Sequence, residues 1–104
     1  MKKVTDQNVA LDVTCGTHLQ GYLQDMTYNQ LVQIFGEPTF DEPSGDEKIQ
    51  REWVIQHDGV YFTIYDWKTY DLEYTMNALT CFNVGGKTSA YNFIDAVEKA
   101  KASL

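Results

Sequence analysis

The chain lacks several features that would assign it to a large class of proteins. Its 104 residues contain no apolar run near the ~20 residues of a membrane-spanning helix. The segment 1–13 has two lysines but no apolar core, which predicts that no signal peptide is present. The histidines, His18 and His57, have no partner at metal-ligand spacing. Because no export signal is predicted, Cys15 and Cys81 are expected to be reduced and partly buried, with a bridge between them as the alternative.

Positive charge is absent from a long stretch of the sequence. Residues 4–47 contain no lysine or arginine and eight acidic residues, whereas residues 48–104 are nearly balanced, and the whole chain has a net charge of −7. Such a field repels nucleic acid and anionic membranes, which predicts that neither is bound directly, and it attracts basic protein surfaces. Solubility is the simpler interpretation of the same charge.

The segment 51–67 predicts a β-hairpin. Two runs rich in β-branched and aromatic residues flank Asp58-Gly59, a pair that favours a type I′ turn because both central positions need a positive φ. The two-residue loop fixes the register, and alternation assigns each pair to one face. The first, apolar face carries the pairs His57–Val60, Ile55–Phe62, Trp53–Ile64 and Arg51–Asp66. The second, polar face carries the pairs Gln56–Tyr61, Val54–Thr63, Glu52–Tyr65 and Gln50–Trp67.

The remaining elements follow from caps and periodicity. Thr27 and Gln30 predict a capping box at the start of a helix over 28–35, which Gly36 and Pro38 end. A last helix over 90–102, capped by Thr88 or Ser89, has an apolar stripe of Phe93, Ile94, Val97, Ala100 and Leu104. Strands are predicted at 9–13, 18–23 and 76–84, and residues 1–7 are expected to be a loose end.

Together these elements predict a single α+β domain over residues 1–104. Its small antiparallel sheet is built around the hairpin at 50–67, and two helices pack on one face.

No motif predicts catalysis, a metal or a cofactor. The string Gly85-Gly86-Lys87-Thr88 ends like a phosphate-binding loop, but the full pattern needs a glycine where Cys81 stands, so a tight strand-to-helix turn is expected. The acidic loop at 40–48 lacks the alternating ligand spacing of a calcium loop. Two nucleophile pairs stay open, Cys15–His18 and Cys81–His57.

The second face of the hairpin carries an aromatic stripe, Tyr61, Tyr65 and Trp67, which continues towards Tyr70 and Tyr74. Tyrosine and tryptophan dominate binding hot spots, so an exposed stripe among carboxylates predicts a partner-binding surface. A covered stripe, beneath the N-terminal strand or a second layer, is the equally weighted alternative.

Several segments together resemble small, mostly uncharacterised proteins encoded by bacteriophages. They are Gly21-Tyr22-Leu23, TYNQLVQIFGEP at 27–38, REWVI at 51–55, TIYDWK at 63–68 and NVGG at 83–86. The resemblance implies a protein that acts in the host cytoplasm as an accessory or counter-defence factor, without catalytic residues. The capped helix and the Trp-bearing strand are also similar to the helix–sheet units of the lipoprotein BamE and of β-lactamase inhibitory proteins, which are binding domains.

The leading expectation is a non-enzymatic inhibitor that engages a basic site on a host protein. The anchoring residues would be Tyr61, Tyr65 and Trp67, and the residues that steer the encounter would be Glu37, Asp41, Glu42, Asp46 and Glu47. Three alternatives stay open: a protein that sequesters a signalling nucleotide, a homodimer that uses the aromatic face, and an enzyme.

Overall fold

A computed structural model describes residues 1–41, 51–66 and 80–104. Within these ranges the chain forms a five-stranded antiparallel sheet and three helices, which confirms the predicted α+β class. Several predictions fall outside the described residues: most of the acidic loop, at 42–48, the aromatic continuation at 67–75, and the first part of the last strand, at 76–79.

The strands are β1 (Lys2–Lys3), β2 (His18–Met26), β3 (Glu52–His57), β4 (Val60–Tyr65) and β5 (Thr80–Gly86). The helices are α1 (Gln7–Val13), α2 (Tyr28–Phe35) and α3 (Tyr91–Ala102). The strand order is β1-β3-β4-β5-β2. The chain therefore crosses the sheet twice, once through α1 from β1 to β2 and once through α2 from β2 to β3.

The hairpin of β3 and β4 has the predicted register. Glu52 lies opposite Tyr65 and His57 lies opposite Val60. The turn residues Asp58 and Gly59 have φ values of 51° and 78°, both positive, as a type I′ turn requires. The first face is fully apolar and buried in its centre, through Trp53, Ile55, Phe62 and Ile64.

Helix α2 begins and ends at the predicted residues. The N–H of Gln30 donates to Oγ1 of Thr27 at 3.0 Å, and the N–H of Thr27 donates to Oε1 of Gln30 at 2.9 Å. These are the two bonds of a capping box. Gly36 at the C-cap has φ 84° and ψ −163°, a conformation nearly restricted to glycine. Its carbonyl accepts a 3.0 Å hydrogen bond from Nε1 of Trp53, so the end of α2 is tied to β3.

Helices α2 and α3 pack on the first face of the sheet. The buried cluster consists of Leu23, Met26, Tyr28, Leu31, Trp53, Ile55, Phe62, Ile64, Phe82, Val84, Ala90, Phe93 and Val97. The rings of Phe93 and Phe62 stack with centroids 4.7 Å apart, which joins α3 to β4.

Two details of α3 differ from the prediction. The N-cap is Ala90, which makes no side-chain cap hydrogen bond, so the prediction of Thr88 or Ser89 as the cap is wrong. Leu104 is exposed, because α3 ends at Ala102 and the chain leaves the helical stripe there. Ala90 is buried beside Phe93 at this end of the helix, and Oγ of Ser89 accepts the N–H of Tyr91 at 3.4 Å.

The prediction of a loose end at residues 1–7 is wrong. Lys2 and Lys3 form β1, which pairs with the second half of β3, and the N–H of Val4 donates to the carbonyl of Val54 at 2.7 Å. The segment has little apolar character, because it lies at the edge of the sheet and only its backbone is needed for pairing.

The prediction of a strand at 9–13 is also wrong, because α1 covers these residues. Oδ1 of Asp6 accepts the N–H groups of Asn8 and Val9 at 2.9 and 3.2 Å, which caps the helix. The alternation that favoured a strand is misleading, since Val9 and Leu11 are exposed and Ala10 is the buried residue of α1. A seven-residue helix held by one alanine leaves no apolar stripe in the sequence.

Candidate functional site

The second face of the sheet is partly covered by α1. This helix connects strands at opposite edges, so it has to cross one face, and α2 and α3 occupy the first. Val54 and Thr63 point to the second face and are only 0% and 2% exposed. Val9 of α1 lines a cleft together with Gln56 and Tyr61, near the hairpin turn. Helix α1 therefore covers the half of this face that is next to the turn.

The other half of the second face carries four polar side chains in one row. Glu52 of β3 lies opposite Tyr65 of β4, Tyr65 opposite Asn83 of β5, and Asn83 opposite Tyr22 of β2. Residues directly opposite each other on neighbouring strands point to the same face, so these side chains lie next to one another. We call these four residues the polar row. Tyr22, at the sheet edge, is 49% exposed, and the other three are partly buried.

Glu52 supplies the charge of the polar row. Burial raises its pKa to about 7, because a poorly solvated position disfavours the charged form. Among the described residues, no cation pairs with this carboxylate, and the neighbouring Arg51 points to the opposite face, where it pairs with Asp41. Glu52 is thus a partly buried carboxylate whose charge the described part of the chain leaves uncompensated.

Tyr65 links Glu52 to the rest of the polar row. Burial raises the pKa of its phenol, the side-chain hydrogen bond with Asn83 lowers it, and the charges of Glu52 and Tyr22 raise it further. The row presents, in order, a carboxylate, a partly buried phenol, an amide and a half-exposed phenol.

The structure describes half of the residues predicted to bind a partner. They are Tyr61, Tyr65, Glu37 and Asp41, whereas Trp67, Glu42, Asp46 and Glu47 lie outside the described residues. Tyr61 and Tyr65 share the second face but are four positions apart, which is ~13 Å along a strand. Tyr61 lies in the cleft beside α1 and Tyr65 in the polar row, so the two rings do not form one continuous patch.

Glu37 and Asp41 meet around Arg51 at the edge of the first face. Nε of Arg51 is 2.7 Å from Oδ1 of Asp41 without an aligned hydrogen bond, so the contact is an ion pair. The guanidinium carbon lies 4.9 Å from the centre of the Tyr28 ring, and the Tyr28 hydroxyl donates to Oε2 of Glu37 at 3.4 Å. Arg51 therefore neutralises part of the acidic charge that was expected to steer a partner.

Asn83 and Tyr22 are site residues that the sequence analysis missed. Both fall in segments with a strand pattern, and alternation with the buried Phe82, Val84 and Leu23 shows which face they occupy. Their place beside Tyr65 depends on strand order, since β5 pairs with β4 and β2 pairs with β5. In the sequence, alternation within each strand indicates which face a residue occupies, but it does not indicate which strand lies next to it in the sheet.

The structure decides several of the chemical alternatives. Cys15 and Cys81 are free and exposed, so they form no bridge, and the expected partial burial is wrong. The Cys81–His57 pair is excluded, because Cys81 lies beyond Asn83 at one end of the sheet and His57 adjoins the turn at the other. In the three described ranges, no group of three potential metal ligands occurs.

Neither of two clefts on the described surface suits a nucleotide. The larger, about 440 Å³, is lined by Gln24, Asp25, Gln30, Glu98, Lys101 and Ala102, a set with more acidic than basic groups. The smaller, about 230 Å³, is below the roughly 300 Å³ at which small-molecule pockets begin. The described clefts give the nucleotide-sequestering alternative no support.

The chain matches no protein-family model, no curated protein and no solved structure. The resemblance to phage proteins and to BamE therefore stays a prediction. Among the described helices, none has the length and apolar character needed to cross a membrane.

Proposed function

We propose that this chain is a non-enzymatic binding protein whose polar row contacts a basic surface of another protein. The observation that carries the proposal is the position of Glu52, a carboxylate with no described cation beside it, next to Tyr65 and in line with Tyr22. Tyrosines are enriched among the residues that contribute most of the binding energy of an interface, and carboxylates select basic partners. The net charge of −7 supports the same choice of partner.

The partner that we propose is a host protein with a basic groove, such as a nucleic-acid-handling or defence protein. Residues 4–47, without a lysine or arginine, present the sign of charge that a phosphate backbone presents. Occupation of such a groove would exclude nucleic acid, so binding would inhibit the partner. The resemblance to phage-encoded proteins agrees with this role.

The test is capture of a partner from a bacterial lysate on the immobilised chain, at low and at high salt. We expect a basic protein to be retained at low salt and released at high salt, because steering by exposed charges is screened. Tyr22→Ala should reduce the captured amount several-fold. Tyr91→Ala is the matched control, since Tyr91 is 77% exposed and begins α3 on the opposite face of the sheet.

Three results would contradict the proposal. The first is an interaction that does not weaken with salt, and the second is an equal loss of partner in both tyrosine variants. The third is self-association of the wild type, measured by sedimentation, that Tyr22→Ala abolishes, because the polar row would then be a homodimer interface. Circular dichroism of both variants confirms that they remain folded.

A further inference from the structure

We infer that the polar row holds one arginine side chain of the partner, an inference that rests on the proposed function. The guanidinium would pair with the carboxylate of Glu52 and lie against the ring of Tyr65, which is directly opposite Glu52 on β4. Tyr22 lies three strand spacings from Glu52, or about 14 Å at ~4.8 Å each, so this guanidinium does not reach it.

None of the ion pairs in the described part of the chain involves Glu52. Arg51 is engaged with Asp41 at 2.7 Å on the first face. Nζ of Lys3 donates to the carbonyl of Glu37 at 2.6 Å, and that of Lys101 donates to the carbonyl of Asp25 at 2.6 Å. A partly buried carboxylate with a pKa raised to about 7 gains most from an external cation, because the cation offsets the cost of burying its charge.

Arginine fits this row better than lysine does. Its planar guanidinium pairs with a carboxylate through two parallel hydrogen bonds and also stacks on aromatic rings, whereas an ammonium group is a compact, strongly hydrated charge. Asn83 lies between the two tyrosines, and its amide oxygen can accept one of the remaining guanidinium N–H groups.

The test is a titration of the full chain with a blocked Gly-Arg-Gly peptide, followed by NMR of the tyrosine rings. We expect the signals of Tyr65 to shift, and the arginine peptide to bind about tenfold more tightly than its neutral citrulline analogue or its lysine analogue. Glu52→Gln, which keeps the side-chain shape, should abolish this preference. Glu98→Gln removes the same charge from an exposed position on α3 and should leave the preference within about twofold.

Equal binding of the lysine and arginine peptides would overturn the inference, and so would equal effects of Glu52→Gln and Glu98→Gln. Either result would mean that the peptide responds only to the overall negative charge of the chain. The outcome is separable from the proposed function. A lysate partner that Glu52→Gln still captures would leave the proposed function standing and remove the arginine site. A Glu52-dependent arginine site without any captured protein would establish the site and count against the proposed function.

Discussion

The ring of Tyr65 lies against the backbone of Gly85. A Cβ added at Gly85 would stand 3.6 Å from Cε1 of Tyr65 and 2.8 Å from Oγ1 of Thr63. Since side-chain carbons are essentially never found within 3.0 Å of such an atom, the second face requires a glycine here. The Gly-Gly pair that resembles part of a phosphate-binding loop therefore serves close packing inside β5.

Gly85→Ala should lower the free energy of unfolding by about 1–3 kcal/mol, because the added methyl group overpacks the space that Thr63 occupies. The measurement is urea unfolding at equilibrium. Thr63→Ala removes the hydroxyl that the methyl group meets, so the double variant should recover part of the loss. If the two single effects simply add, the contact between these positions is not the cause.

The stability of the protein should fall as pH rises through the range in which Glu52 ionises. Its folded-state pKa of about 7 lies above the ordinary 4.5, so between these values the native state binds the additional proton and the unfolding free energy decreases with pH. The loss from this group is at most about 3 kcal/mol. Glu52→Gln should remove it, which makes the variant more stable than wild type near pH 8 and similar to it near pH 4.

Urea unfolding of wild type and Glu52→Gln across this pH range measures the effect, and their difference isolates Glu52 from the other carboxylates. Glu98→Gln serves as the control for the change in net charge. A difference between wild type and Glu52→Gln that does not change with pH would show that the Glu52 carboxyl titrates normally.

The hydroxyl of Thr39 should be important for holding the N-terminal segment on the sheet. It donates to the carbonyl of Val4 at 2.7 Å and accepts the N–H of Val54 at 3.1 Å, in a position that is almost fully buried. Thr39→Val keeps the shape but leaves both backbone groups without this partner, so we expect a loss of about 2–3 kcal/mol in urea unfolding. Thr39→Ser keeps the hydroxyl and should lose less; an equal loss in both would assign the effect to packing of the methyl group.

The hairpin and α2 could be predicted from sequence because their signals are local. Asp58-Gly59 determines a turn with a two-residue loop, which allows a single register between the strands. That register fixes the face on which Glu52 and Tyr65 lie. At the start of α2, Thr27 and Gln30 satisfy each other's backbone N–H groups, and at its end Gly36 adopts a positive φ without strain. In both cases the interacting residues are close together in the chain, so their spacing in the sequence determines the local geometry.

The fold class, the hairpin register and half of the polar row were thus determined by the sequence alone. The tertiary structure decided the other half, because Asn83 and Tyr22 reach Tyr65 only through the strand order β4-β5-β2. It also decided the helical state of residues 7–13. There the side chain of Asp6 caps the helix and Ala10 is buried, and these interactions outweigh the alternation of apolar and polar residues that favours a strand. Strand order and the crossing of α1 depend on contacts between residues far apart in the chain, and alternation or capping within one segment contains no information about them.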